Sequence, residues 1–173
     1  MIDGFVVRAA SGGADMDLIR ELFREYQDWL GVDLCFQDFD AELAALPGLY
    51  APPAGRLLLV FDAGDDRLVG CVALRPRDDS RCEMKRLYVR PDWRRRGLGR
   101  KLTERCIDDA RNAGYREMCL DTLAHLTAAR ALYRDMGFAE IPPTMTIPST
   151  ESPTCPSVWV RKILIKSLVM LST

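Results

Sequence analysis

The stretch RRRGLGRKL, residues 94–102, restricts the fold of this chain more than any other, because of what flanks it. Before it, RCEMKRLYVR (81–90) reads as a strand that Pro91 ends. After it, Leu98, Leu102, Cys106 and Ala110 recur every four residues and predict an amphipathic helix over 97–113. A strand, a Gly-x-Gly turn and a helix in that order bring unpaired first-turn N–H groups and the positive end of the helix dipole to one point. Gly97 and Gly99 let an anion approach that backbone closely, so a phosphate or pyrophosphate is the natural guest. A pyrophosphate cradle, a nucleic-acid patch and the solvated start of a helix all remain open at this level. Neither of two familiar phosphate loops fits: there is no G-x-x-x-x-G-K-[ST], and Leu102 stands where a dinucleotide fingerprint has its third glycine.

The remaining pattern supplies the architecture. FVVRAA (5–10) reads as a first strand. ADMDLIRELFREYQDWL (14–30) places Ile19, Leu22, Phe23, Tyr26, Trp29 and Leu30 on one helical stripe. A short helix is predicted over 40–46, then a hairpin over 56–76 whose two apolar runs are separated by DAGDD. Beyond Gly114 come a strand (115–123), a helix (127–136) and a strand (137–141). The fold class predicted is α/β in the α+β sense: one domain with a mixed, mostly antiparallel twisted sheet of about six to seven strands, flanked by helices.

Composition narrows the function. The 173 residues suit one domain, and 24 Lys+Arg against 25 Asp+Glu argue against a generally basic nucleic-acid binder. Six scattered cysteines without C-x-x-C, and a single histidine, His125, give no zinc pattern, so no metal is expected. Most of the thiols lie in apolar runs, which suits reduced cysteine in a cytoplasmic protein. MIDGFVVRAA does not read as a secretion signal, and no run is apolar and long enough for a membrane.

Arg94-Arg95-Arg96-Gly97-Leu98-Gly99 resembles the [Q/R]-x-x-G-x-[G/A] signature of the GNAT superfamily of acyl-CoA-dependent N-acetyltransferases. It follows KRLYVRPDW, similar to that superfamily's fourth strand and turn, and precedes AARALYRDMGFAEI (128–141), similar to its A-x-x-L-Y-x-x-x-G-F stretch. The resemblance implies a domain over 1–141, with strands 4 and 5 splayed apart to admit the pantetheine arm of acetyl-CoA. It implies that Leu87, Tyr88 and Val89 pair with that arm, that amides from Arg95 to Arg100 hold the pyrophosphate, and that Arg94 opens the loop. It also implies that Tyr133 is the general acid, and that Glu83, eleven residues before Arg94, is the base. Glu83 is expected to share a face with Lys85, Leu87 and Val89, and partial burial is expected to raise its pKa. The oxyanion donor is expected to be a backbone N–H near Leu87 or Tyr88. Where many members carry Asn seven residues before the tyrosine, this chain has Leu126.

The acceptor pocket is expected from the first two helices and the loop GVDLCFQDFD (31–40), with Asp121 and Thr122. There Phe36, Asp38, Phe39 and Asp40 suit a small amine, acid drawing the cation and aromatics covering its body. The implied activity is acetyl transfer from acetyl-CoA to a primary amine of a small molecule or protein, by direct attack in a ternary complex. The alternative is a catalytically weak acyl-CoA-binding protein; a monomer or homodimer is expected, with no nucleic acid or membrane as partner.

Residues 142–173 lose the pattern. The subgroup resembled usually continues Pro-Pro-Tyr-Tyr-Asp-Asn-Pro-Ile, and codons for TMTIPSTES read one base earlier permit Tyr-Tyr-Asp-Asn-Pro-Ile-x-Gly-Val. The tail is therefore expected to be a frameshifted C-terminus, in which 157–165 has the β-branched and aromatic residues to supply a last strand.

Overall fold

In β2 (Arg56–Asp62) alternate residues turn to opposite faces of a sheet, and both faces are buried. Leu58 and Val60 enter one apolar cluster, while Leu57, Leu59 and Phe61 enter the other. A computed structural model describes residues 4–31, 38–141 and 160–166 of the chain. Around β2 its elements are β1 (Phe5–Ala9), α1 (Gly12–Leu30), α2 (Phe39–Ala45), β3 (Leu68–Pro76), β4 (Arg81–Val89), α3 (Leu98–Asn112), β5 (Glu117–Leu123), α4 (Thr127–Asp135), β6 (Ala139–Ile141) and β7 (Val160–Lys166). The described strands form one sheet in the order β1-β2-β3-β4-β5-β7-β6, antiparallel except between β4 and β5.

The predicted elements are present with shifted ends. α1 begins at Gly12, two residues before the predicted start, because Asp15 accepts the Ser11 amide at 2.7 Å and holds the first turn. Arg8 of β1 grips the same carboxylate at 2.6 and 2.8 Å, which ties the helix to the sheet. The last strand runs 160–166 rather than 157–165 and pairs with β5 along Glu117–Leu123. Residues 142–159, and with them the frameshift reading, lie outside the described residues.

α1 and α2 cover one face of the sheet; α3 and α4 cover the other. Ile19, Leu22 and Phe23 of α1 are fully buried, each contributing about 1.5–3 kcal/mol of apolar burial. On the opposite face Leu102 and Ala110 of α3 are equally sealed. Cys71, Cys82 and Cys106 are buried, and burial pushes each of their thiols up. No described helix is long and apolar enough to cross a membrane.

Two irregularities position the site. β4 pairs with β5 only at Arg81↔Glu117, Cys82↔Met118 and Glu83↔Cys119. From Met84 and Leu120 onward the strands part. Immediately beyond the last pair, β4 bulges against β3: Cys71 faces Tyr88 but Ala73 faces Lys85, so β4 carries one extra residue. Arg86 takes that place in the left-handed region, φ 55°. A bulge bends and twists its strand, here at the point where β4 leaves β5. Gly70 permits this arrangement. A Cβ there would lie 2.2 Å from the Tyr88 carbonyl oxygen.

Candidate active site

The cleft between the parted strands has β4 (83–87) as one wall and β5 (120–123) as the other. Tyr26 and Trp29 of α1 close it on one side, and Tyr133 of α4 on the other. Predicted residues Glu83, Leu87, Asp121, Thr122 and Tyr133 are thus brought together.

At the end of β4 the chain turns through a short 3-10 segment (Pro91–Trp93) into α3. Gly97 caps α3 with φ 76°, a conformation that costs a side-chain-bearing residue about 1 kcal/mol or more. The first backbone bond into α3 runs from the Lys101 N–H to the Gly97 carbonyl at 3.2 Å. The Leu98, Gly99 and Arg100 amides therefore have no acceptor within the helix. A Cβ on Gly99 would meet only Leu132, at an ordinary 3.5 Å.

The arginine side chains are engaged elsewhere. Arg94 donates to the Val89 carbonyl at 2.8 Å and lies over Trp29 at 4.4 Å and Tyr88 at 5.6 Å. Arg96 reaches the Asp92 carbonyl at 3.3 Å, and Arg100 pairs with Asp135. Arg95 shares the loop's strained geometry, φ 62°. The cradle is backbone, and the arginines brace it.

Tyr133 is buried beside Phe138, ring centroids 5.7 Å apart, and burial holds its phenol above the ordinary value. It is protonated throughout the neutral range, as a proton donor must be. Leu126 stands at the N-terminus of α4 and lines the cleft as an apolar wall.

Glu83 departs from expectation twice. The bulge at Arg86 rotates the strand, so Glu83 and Lys85 do not share a face with Leu87 and Val89, which pack into the α3/α4 cluster. Burial alone pushes the Glu83 carboxyl up, but Lys85, Arg75 and Arg77 outweigh it and hold the pKa below the ordinary value. The carboxylate takes Arg75 Nε and Nη2, each at 2.8 Å, with Arg77 at 3.6 Å. A carboxylate so held is a weak base.

The acidic acceptor pocket also needs correction. Asp38 is the exposed N-cap of α2 at φ 52°, Asp40 is exposed, and neither lines the cleft. Phe39 is buried beneath Arg86, 5.1 Å from its guanidinium carbon. Phe36 lies outside the described residues. What the sequence reading missed is the Arg86 side chain, 3% exposed, which donates to Glu42 of α2 at 2.6 and 3.2 Å. Tyr50 donates to the same carboxylate at 2.6 Å. Burial pushes Lys85, the neighbour of Arg86, down to about 8.

Among the described residues no group of three His, Cys, Asp or Glu side chains is arranged to hold a metal. The parted strands, the amide cradle and the buried phenol together make a thioester-sized slot with an anion seat at one end. A sequence model of the acetyltransferase (GNAT) family matches residues 16–138. This chain belongs to that family.

An N-acetyltransferase of Schizosaccharomyces pombe is 42% identical over 130 residues, 75% of this chain and 79% of the relative. An acetyltransferase from Streptococcus agalactiae shares the fold at TM-score 0.74 and 20% identity, over 95% of this chain and 99% of that one. A GNAT acetyltransferase from Elizabethkingia anophelis, solved with acetyl-CoA bound, does so at TM-score 0.63 and 18% identity, over 95% and 99%. The GNAT fold in this chain keeps its parted strands and loop while its acceptor side carries a buried arginine.

Proposed function

We propose that this protein transfers an acetyl group from acetyl-CoA to a primary amine by direct attack in a ternary complex. The observation that carries the reading is the coincidence of the β4–β5 opening with an amide cradle at Gly97 and a buried phenol at Tyr133. The residues fit the cofactor: the free edge of β4 over Leu87–Val89 faces the arm, and amides 95–100 face the pyrophosphate. Acetyl-CoA, when bound, supplies an activated thioester.

The chain then has three tasks. A backbone N–H at Leu87 or Tyr88 donates to the carbonyl oxygen that gains charge. Tyr133 gives its proton to the departing sulfur. The amine must be neutral to attack, and Lys85 and Arg86 favour that form by disfavouring a second positive charge beside them. Glu83, ion-paired and weakly basic, takes the released proton through water rather than by direct contact.

Thiol release on an amine panel tests the reading. Tyr133→Phe is expected to lower kcat by about a hundredfold. Tight acetyl-CoA binding with no thiol release from any amine would overturn it and leave an acyl-CoA-binding protein.

A further inference from the structure

Resting on the acetyltransfer reading, the cleft also carries information about its acceptor. Its walls bear opposite charge. On β4 stand Lys85 and Arg86; across the gap on β5 stands Asp121. The two other carboxylates nearby are occupied by guanidinium groups: Glu83 by Arg75 and Arg77, and Glu42 by Arg86. Four cations thus face three carboxylates among the described residues, and the excess lies on the β4 wall.

Arg86 is the unusual member. A buried guanidinium needs its donors satisfied, and Glu42 takes only Nε and Nη2. Nη1 meets no acceptor among the described residues and is not among their sealed, partnerless nitrogens, so it retains an accessible face at the cleft. Phe23, Tyr26 and Phe39 surround the guanidinium at 5.1–5.9 Å and keep the dielectric low, where an anion is bound strongly. Lys85, depressed by burial, would regain its ordinary basicity beside such an anion.

We propose that the acceptor is an amine that also carries a carboxylate, docked on Arg86 and Lys85 with its nitrogen toward the β5 wall. Residues 85–86 lie one to two positions before Leu87 on β4, about 3–7 Å of strand, so amine and carboxylate are few bonds apart. A compact amino acid fits; a polyamine, with no anion for Arg86, does not.

The probes are L-amino acids, their carboxamides and the matching decarboxylated amines, each titrated calorimetrically into the protein saturated with CoA and assayed for thiol release with acetyl-CoA. The carboxylated member of a set is expected to bind, and to react in kcat/KM, at least about tenfold better than its two analogues. In Lys85→Gln and Arg86→Lys that preference is expected to fall toward one. Equal or better performance by the analogues, binding of no probe, or a preference unmoved in both variants would overturn the proposal. Carboxylate-dependent binding without thiol release would sustain it and overturn acetyl transfer; turnover without carboxylate preference would do the reverse.

Discussion

The two faces of the sheet solve recognition differently. On the α3/α4 face the cluster around Leu102, Met118 and Tyr133 is apolar, and the anion seat beside it is made of backbone amides at Gly97–Arg100. On the α1/α2 face the apolar cluster around Ile19, Leu22 and Phe23 surrounds buried charge, Arg86 with Glu42 and Glu83 with Arg75. Backbone recognition serves a ligand whose anionic end is constant, because amides placed by a helix start cannot be altered by a side-chain change. Side-chain recognition serves a partner that differs between relatives. The comparison assigns the cofactor to one face and acceptor choice to the other.

The largest effect that can break this division comes from Arg86→Ala. It leaves Glu42 buried without its cation, and a loss of about 3–5 kcal/mol in denaturant unfolding is expected. Stability restored by pairing it with Glu42→Gln would show that the ion pair, rather than the bulge, holds α2 to β4. Next comes Leu102→Ala on the other face, expected to cost about 2–5 kcal/mol through the cavity left. It should leave the acceptor KM unmoved, and a shifted KM would mean the faces are coupled. The smallest is Asp15→Asn at the start of α1. Arg8 and the Ser11 amide hold the Asp15 carboxyl down at about 2, so its contribution is complete above about pH 4 and is lost as pH falls through 2. Because Arg8 is partly exposed, about 1 kcal/mol or less is expected in urea titrations at pH 7, vanishing near pH 2.

The same division explains what the sequence made legible. The cradle is local: strand, turn and helix follow one another within about thirty residues, and Gly97 sits where only a left-handed backbone will do. The hairpin of β2 and β3 was likewise readable from two apolar runs and DAGDD. Arg86 with Glu42 joins positions 44 residues apart, and no periodicity announces such a pair. The bulge that turns Arg86 inward left one trace, Gly70 in an otherwise apolar strand, which marks a close backbone approach. Glu83 was placed correctly in the cleft, yet its charge state depends on Arg75 and Arg77 from a neighbouring strand and turn. Strand alternation therefore predicted its face partners and its pKa wrongly.

Backbone rather than arginine charge as the holder of the cofactor is the central claim, and titration calorimetry with acetyl-CoA tests it most directly. Wild type is expected to bind at micromolar concentration, Gly97→Val at least about tenfold more weakly, and Arg96→Ala within about threefold of wild type. Equal affinity in Gly97→Val and wild type, with the loss appearing in Arg96→Ala, would contradict it.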